Sequence, residues 1–110
     1  MKIFPKEEYY GNIEYKRYFY FKDYHRFQKY TTQLNYRLHE GNGKAIYIIG
    51  IDDNGTILGL SDIQIKENVT FFLKMCHELK VNLNLQMNCR YKDKKFIIIA
   101  VESDRHRDSF

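Results

Sequence analysis

Proline and tryptophan are almost missing from this chain, with Pro5 the one proline and no tryptophan among 110 residues. A proline-rich linker or polyproline segment is therefore excluded, and no proline breaks a helix or strand beyond Pro5. Cysteine is scarce as well. Cys76 and Cys89 stand singly with no Cys-x-x-Cys pair, which argues against a disulfide framework, a zinc ribbon or a dithiol redox motif. No apolar run approaches the ~20 residues that a membrane span requires. The start, Met1-Lys2-Ile3-Phe4-Pro5-Lys6, has no long apolar segment ahead of a small-residue cleavage site. These absences lead us to expect a cytoplasmic or nuclear protein with reduced thiols and no membrane partner. His25, His39, His77 and His106 are scattered without metal-ligand spacing. A phosphate-binding Gly-x-x-x-x-Gly-Lys-Ser/Thr is also lacking, because Gly43-Lys44 runs into Ala45 without the upstream glycine.

What is present suits one globular domain over residues 1–110, since 44% of the residues are hydrophobic and the length can bury a modest core. The net charge of +4 is mild. More specific are the ten tyrosines, several interleaved with cations as in Tyr15-Lys16-Arg17-Tyr18-Phe19-Tyr20-Phe21-Lys22. Rings beside cations suit stacking on unpaired bases with phosphate neutralisation. The same residues also make good strands, so the pattern alone leaves both readings open.

The segment from Ile13 to Phe21 is β-branched and aromatic and reads as a strand, with Glu14, Lys16, Tyr18 and Tyr20 on one side. Asp23 can cap a helix running to Glu40, with Gly41 at its stop. Phe27, Tyr30, Leu34 and Leu38 form its apolar stripe, while Arg26, Lys29, Gln33 and Arg37 form a basic one. Ala45 to Ile51 is a continuous apolar run fitting a central strand. Asp53-Asn54-Gly55 offers the positive φ angles of a tight hairpin, and Thr56 to Leu60 reads as the returning strand. Ser61 and Gln64 form a capping box ahead of a second helix whose apolar face carries Ile65, Val69, Phe72, Cys76 and Leu79.

From Val81 to Tyr91 apolar and polar residues alternate, placing Asn82, Asn84, Gln86, Asn88 and Arg90 on a wet face. Lys92-Asp93-Lys94 then turns into a last strand, Phe96 to Glu102, and a polar tail over 103–110 is expected to be mobile. The resulting order is β-α-β-β-α-β-β. It predicts an α+β two-layer sandwich, a largely antiparallel sheet with two helices on one face. The opposite sheet face would carry Glu14, Lys16 and the Asn/Gln/Arg row.

Two resemblances fall on these residues. Glu14-Tyr15-Lys16, Gly50-Ile51-Asp52-Asp53 and Leu58-Gly59-Leu60 resemble the marks of the Schlafen-type divergent AlbA-like domain. Asn12 to Lys16, Gln33 to Gly43 and Ala45 to Gly50 are more closely similar to the segment preceding the GTPase domain in the GTPBP group of translational GTPases. The first resemblance implies a metal-dependent endoribonuclease with three carboxylates. Glu14 and Asp52 match two of them, and would hold Mg2+ or Mn2+. The third falls at Tyr9, with Glu8 one residue away and Glu7 a further candidate. A turn-forming Asp52 and a strand pair of Glu14 with Lys16 would need no catalysis.

Together the resemblances imply an RNA-binding domain acting on tRNA or ribosomal RNA in translation or RNA turnover. Lys16, Arg17, Arg26, Lys29, Arg37, Lys44 and Arg90 would neutralise phosphates, and Tyr18 and Tyr20 would stack on bases. A homodimer or heteromer, or a non-catalytic interaction subunit docking through its exposed sheet face or an edge strand onto a larger assembly, is the further expectation.

Overall fold

The computed structural model describes residues 3–19 and 23–103. The elements run β1 (Ile13–Lys16), α1 (Tyr24–Glu40), β2 (Lys44–Ile49), α2 (Asp62–Leu79), β3 (Asn82–Tyr91) and β4 (Lys94–Glu102). The four strands form one sheet in the order β1-β2-β4-β3. Among the described residues β1 and β2 pair in parallel, and the β2–β4 and β3–β4 pairings are antiparallel. Leu34 and Leu38 from α1 and Phe72, Met75 and Cys76 from α2 share one core with Ala45, Tyr47, Ile49, Ile97, Ile99 and Val101 of the sheet. Both helices therefore cover one face, and the fold is the expected α+β two-layer sandwich. Each of these large side chains, moved out of water, contributes roughly 1.5–3 kcal/mol.

The helix ends follow from local chemistry. Asp23 accepts a hydrogen bond from the His25 N–H at 2.9 Å, and Ser61 and Gln64 complete a reciprocal capping box. Gly41 stops α1, but at φ −101° it does so without a left-handed backbone. Its role is clearance, because a β-carbon there would lie 1.9 Å from the Lys44 carbonyl oxygen.

Three expectations are corrected. The segment Thr56–Leu60 is no strand. It makes a single bridge, Ile51 to Ile57, and then spends the Leu58 and Gly59 N–H groups on the Gly50 carbonyl. In its turn only Gly55 takes a positive φ, while the Asn54 side chain accepts from the Thr56 N–H. The first strand stops at Lys16 rather than Phe21. Phe19 instead drops into the core among Tyr30, Tyr47 and Phe71, its N–H donating to the buried amide of Asn68. Tyr20, and residues 104–110 of the expected tail, lie outside the described residues.

The third correction concerns which side faces which. A bulge at Asn84 separates the Leu83–Val101 pairing from the Leu85–Ala100 pairing. Val101 faces the helices whereas Ala100 faces away, so the extra residue reverses the alternation along the rest of β3. Gln86, Asn88 and Arg90 consequently stand on the helix side, opposite Ile99, Ile97 and Lys95. Leu85, Met87 and Cys89 turn to the outer face. Glu14 and Lys16, paired with the inward Tyr47 and Ile49, likewise lie beneath α1 and not on the open face.

Candidate functional site

Arg37 stands beside the apolar stripe of α1, with only 3% of its surface exposed. Its guanidinium binds Glu14 Oε1 at 2.9 Å and donates to the carbonyls of Glu8, Tyr10 and Gly11 at 2.8–3.0 Å. Glu7 adds a carboxylate 3.7 Å away. One cation thereby ties the N-terminal arm, β1 and α1 together. The Glu7 carboxylate also accepts the Tyr15 N–H, and the Glu7 N–H donates to the Asp53 carbonyl at 2.8 Å.

Burial of the Glu7 carboxyl pushes its pKa up from 4.5 to about 7. The Tyr15 N–H opposes that rise, and the neighbouring Glu14 charge and its shared hydrogen bond add to it. Beside this knot, the Tyr47 hydroxyl is buried without a hydrogen-bond partner among the described residues, and burial holds its pKa well above the usual phenol value. Burial also lifts the Cys76 thiol to about 12, which leaves it an inert core residue.

The carboxylates named from sequence are distributed as follows. Glu14 is held by Arg37 and, at 3.7 Å, by Lys16, whose ammonium also lies 5.0 Å from the centre of the Tyr30 ring. Asp52 is taken by Arg17 at 3.0 Å, its Oδ1 also accepting from the Asp53 N–H. Successive cations thus occupy the two carboxylates. Glu8 is exposed and contributes its backbone carbonyl. Among the described residues no three His, Cys, Asp or Glu side chains stand close enough to hold a metal ion. The donor set does not fit a divalent cation, because cations already fill the places it would need.

The remaining cations divide between interior and surface. Arg37 is interior and Lys16 mostly covered. Arg17, Arg26, Lys29, Lys44 and Arg90 are exposed, and Tyr18 is half-exposed. Of these, Arg90 belongs to a larger feature. A groove of about 600 Å³ runs between α2 and the β3–β4 strands, lined by Lys66, Thr70, Gln86, Asn88, Arg90 and Lys95. Arg90 and Lys95 are cross-strand partners. Lys95 also binds Asp62 at 2.6 Å, and that hydrogen bond holds the Asp62 carboxyl below its usual range.

A second groove, about 620 Å³, lies between α1 and α2 and is lined by Asp23, Tyr24, Phe27, Lys66, Glu67, Thr70, Phe71 and Lys74. Tyr24 is 69% exposed and stacks on Phe27. Lys66 and Thr70 belong to both grooves, so an aromatic trough and a basic, amide-lined trough meet along one side of α2. Sequence reasoning names Arg90 as a candidate but not Lys66, Lys74 or Tyr24. They are spread over two helices, and only the packing of α1 against α2 assembles them.

No family model matches the chain, and no solved structure matches it. It is 33% identical over 81 residues to GTP-binding protein 2 of Mus musculus and equally to that of Homo sapiens, covering 74% of this chain and 14% of those proteins. It is also 37% identical over 106 residues to an uncharacterized protein of Acanthamoeba polyphaga mimivirus, covering 96% of this chain and 57% of that one. The chain therefore spans about one seventh of the GTP-binding proteins it resembles and somewhat over half of the viral relative. The aligned 81 residues support a module related to one region of GTP-binding protein 2.

Proposed function

We propose that this chain is an RNA-binding module that acts on tRNA or ribosomal RNA in translation or RNA turnover. The observation that carries the reading is the junction of the two grooves at Lys66 and Thr70. A single strand laid along α2 would stack a base on the Tyr24–Phe27 pair and run its phosphates past Lys66, Lys74 and Arg90. Aromatic stacking and backbone neutralisation are the two elements of single-strand recognition. The Gln86 and Asn88 amides, which can donate and accept, suit hydrogen bonds to base edges or the 2′-hydroxyl. The likeness to a region of GTP-binding proteins supports the setting in translation, while the missing phosphate-binding loop leaves nucleotide hydrolysis to other proteins or other segments.

The test is fluorescence anisotropy with labelled tRNA over a salt series. Binding should weaken steeply with salt, and Lys66→Glu/Lys74→Glu should weaken it for every sequence while lowering the salt slope by about 2. Tyr24→Ala should weaken it with the slope unchanged. A salt-independent affinity, or one indifferent to these substitutions, would overturn the reading. Running the same RNA with Mg2+, with Mn2+ and with EDTA separates binding from cleavage. RNA left intact in all three is the expected outcome.

A further inference from the structure

The groove between α2 and the β3–β4 strands sets two cations in direct opposition, Arg90 and Lys95. The turn between their strands closes on the Tyr91–Lys94 pair, and the Lys95 carbonyl accepts the Leu60 N–H at 2.8 Å. Arg90 and Lys95 therefore form the non-hydrogen-bonded kind of cross-strand pair, in which facing side chains stand closest. Like charges placed opposite one another in this way destabilise a sheet. One carboxylate relieves them. Asp62, the first residue of α2, meets the Lys95 ammonium at 2.6 Å. That hydrogen bond, and more weakly the Arg90 charge, hold the Asp62 carboxyl below its usual range. The Asp62 side chain is 82% exposed, so an incoming anion can displace it. Lys66, one turn along α2, is a third cation in the lining, with the Thr70 hydroxyl beside it. Among the described residues neither Lys66 nor Arg90 takes part in an ion pair. Three cations against one carboxylate leave the lining with a net charge of +2.

We propose that this groove seats the terminal phosphate monoester of an RNA strand. The inference rests on the RNA-binding reading above and names which part of the strand the site selects. An internal phosphodiester carries the same single charge as the Asp62 carboxylate, so exchanging one for the other gains little. A terminal monoester carries about −1.5 to −2 at pH 7 and three acceptor oxygens. It matches the charge of the groove and pairs Arg90 and Lys95 at once. The Arg90 fork can grip two phosphoryl oxygens, while Lys95 and Lys66 act as point charges.

The surroundings suit an end rather than a free phosphate. Lys66 and Thr70 are shared with the aromatic trough, so a strand whose end is held at Arg90 and Lys95 continues past them to the Tyr24–Phe27 pair. At about 600 Å³ the groove is within the roughly 300–1,000 Å³ of small-ligand sites, room for one terminal nucleotide. A 5′-phosphate and a 3′-phosphate offer the same chemistry, and the choice between them is read by experiment.

Fluorescence anisotropy with one short single strand, labelled at an internal base, tests this in three forms: 5′-phosphorylated, 3′-phosphorylated and with hydroxyls at both ends. At about pH 7.5 one phosphorylated form should bind about tenfold tighter than the hydroxyl form, and that form identifies the end recognised. Lys95→Gln and Arg90→Gln should each bring the ratio of the two affinities close to one. Asp62→Asn removes the competing carboxylate and should tighten the hydroxyl-ended strand more than the phosphorylated one, narrowing the ratio. Lowering the pH to about 5 leaves the monoester with a single charge, since its second pKa is about 6, and should also narrow it. Equal binding of all three forms, with the steep salt dependence intact, would overturn this inference and leave the RNA-binding reading standing. No binding of any form would overturn both. A ratio unchanged by Lys95→Gln and Arg90→Gln would place end recognition elsewhere and overturn the site. Adenosine 5′-monophosphate competing as well as the phosphorylated strand would overturn it too, because the rest of the strand would then contribute nothing.

Discussion

Arg37 and Glu14, 23 residues apart in sequence, meet at 2.9 Å with their side chains only 4% and 7% exposed. Buried charges of this kind are tolerated where each is paired and further hydrogen-bonded, and here the guanidinium also reaches three backbone carbonyls. The pair anchors the arm, whose Phe4 packs on Tyr15 and Phe96 in the second core cluster, on the sheet face away from the helices.

Removing the cation leaves Glu14 and three carbonyls in the interior without their donor. Arg37→Ala should lower stability by about 3–5 kcal/mol in urea unfolding. Arg37→Lys should recover little of this, since an ammonium has three donors and no fork to reach separated acceptors. A loss under about 1 kcal/mol for Arg37→Ala would show that the arm is held in another way.

Glu7 makes stability depend on pH with a definite sign. Its folded pKa of about 7 lies above the value of 4.5 that it starts from. Between these limits the folded chain keeps a proton that the unfolded chain releases. The stabilisation from this group is complete below the unfolded value and is lost as pH rises through about 7. The thermal midpoint of the unmodified protein should fall between about pH 5 and pH 8, while Glu7→Gln should reduce that fall and be the more stable protein at about pH 8. Parallel profiles for the two proteins would count against a raised Glu7 pKa.

The Tyr47 hydroxyl is buried beside the same knot without a hydrogen-bond partner among the described residues. Deleting a lone hydroxyl removes its desolvation cost and leaves the ring packing on Phe72 intact. Tyr47→Phe should therefore be neutral or stabilising by about 1 kcal/mol. A clear destabilisation would reveal that the hydroxyl has a partner in solution, such as an ordered water.

Much of this molecule could be read from sequence because its signals are local. Asp23, Gly41 and the Ser61–Gln64 box mark helix ends through bonds spanning a few residues, and the Ala45–Ile51 run marks a central strand by its composition. The two-layer α+β architecture followed from these marks alone. Three features did not follow, each for a physical reason. The single extra residue at Asn84 leaves the alternation from Val81 to Tyr91 unbroken in sequence, yet pairing with β4 turns its outer part over. Arg37 repeats at the spacing of an exposed basic stripe, but the arm folded across it makes it an interior cation. The grooves beside α2 draw Tyr24, Lys66 and Arg90 from three elements, and no periodicity connects them. Sequence by itself determined both helices and the strands β2, β3 and β4, because backbone propensity and capping act over short range, whereas the end of β1 and the non-strand course of Thr56–Leu60 were set by tertiary packing. Tertiary structure decided which residues face solvent, because register and covering segments are settled only when distant parts of the chain meet.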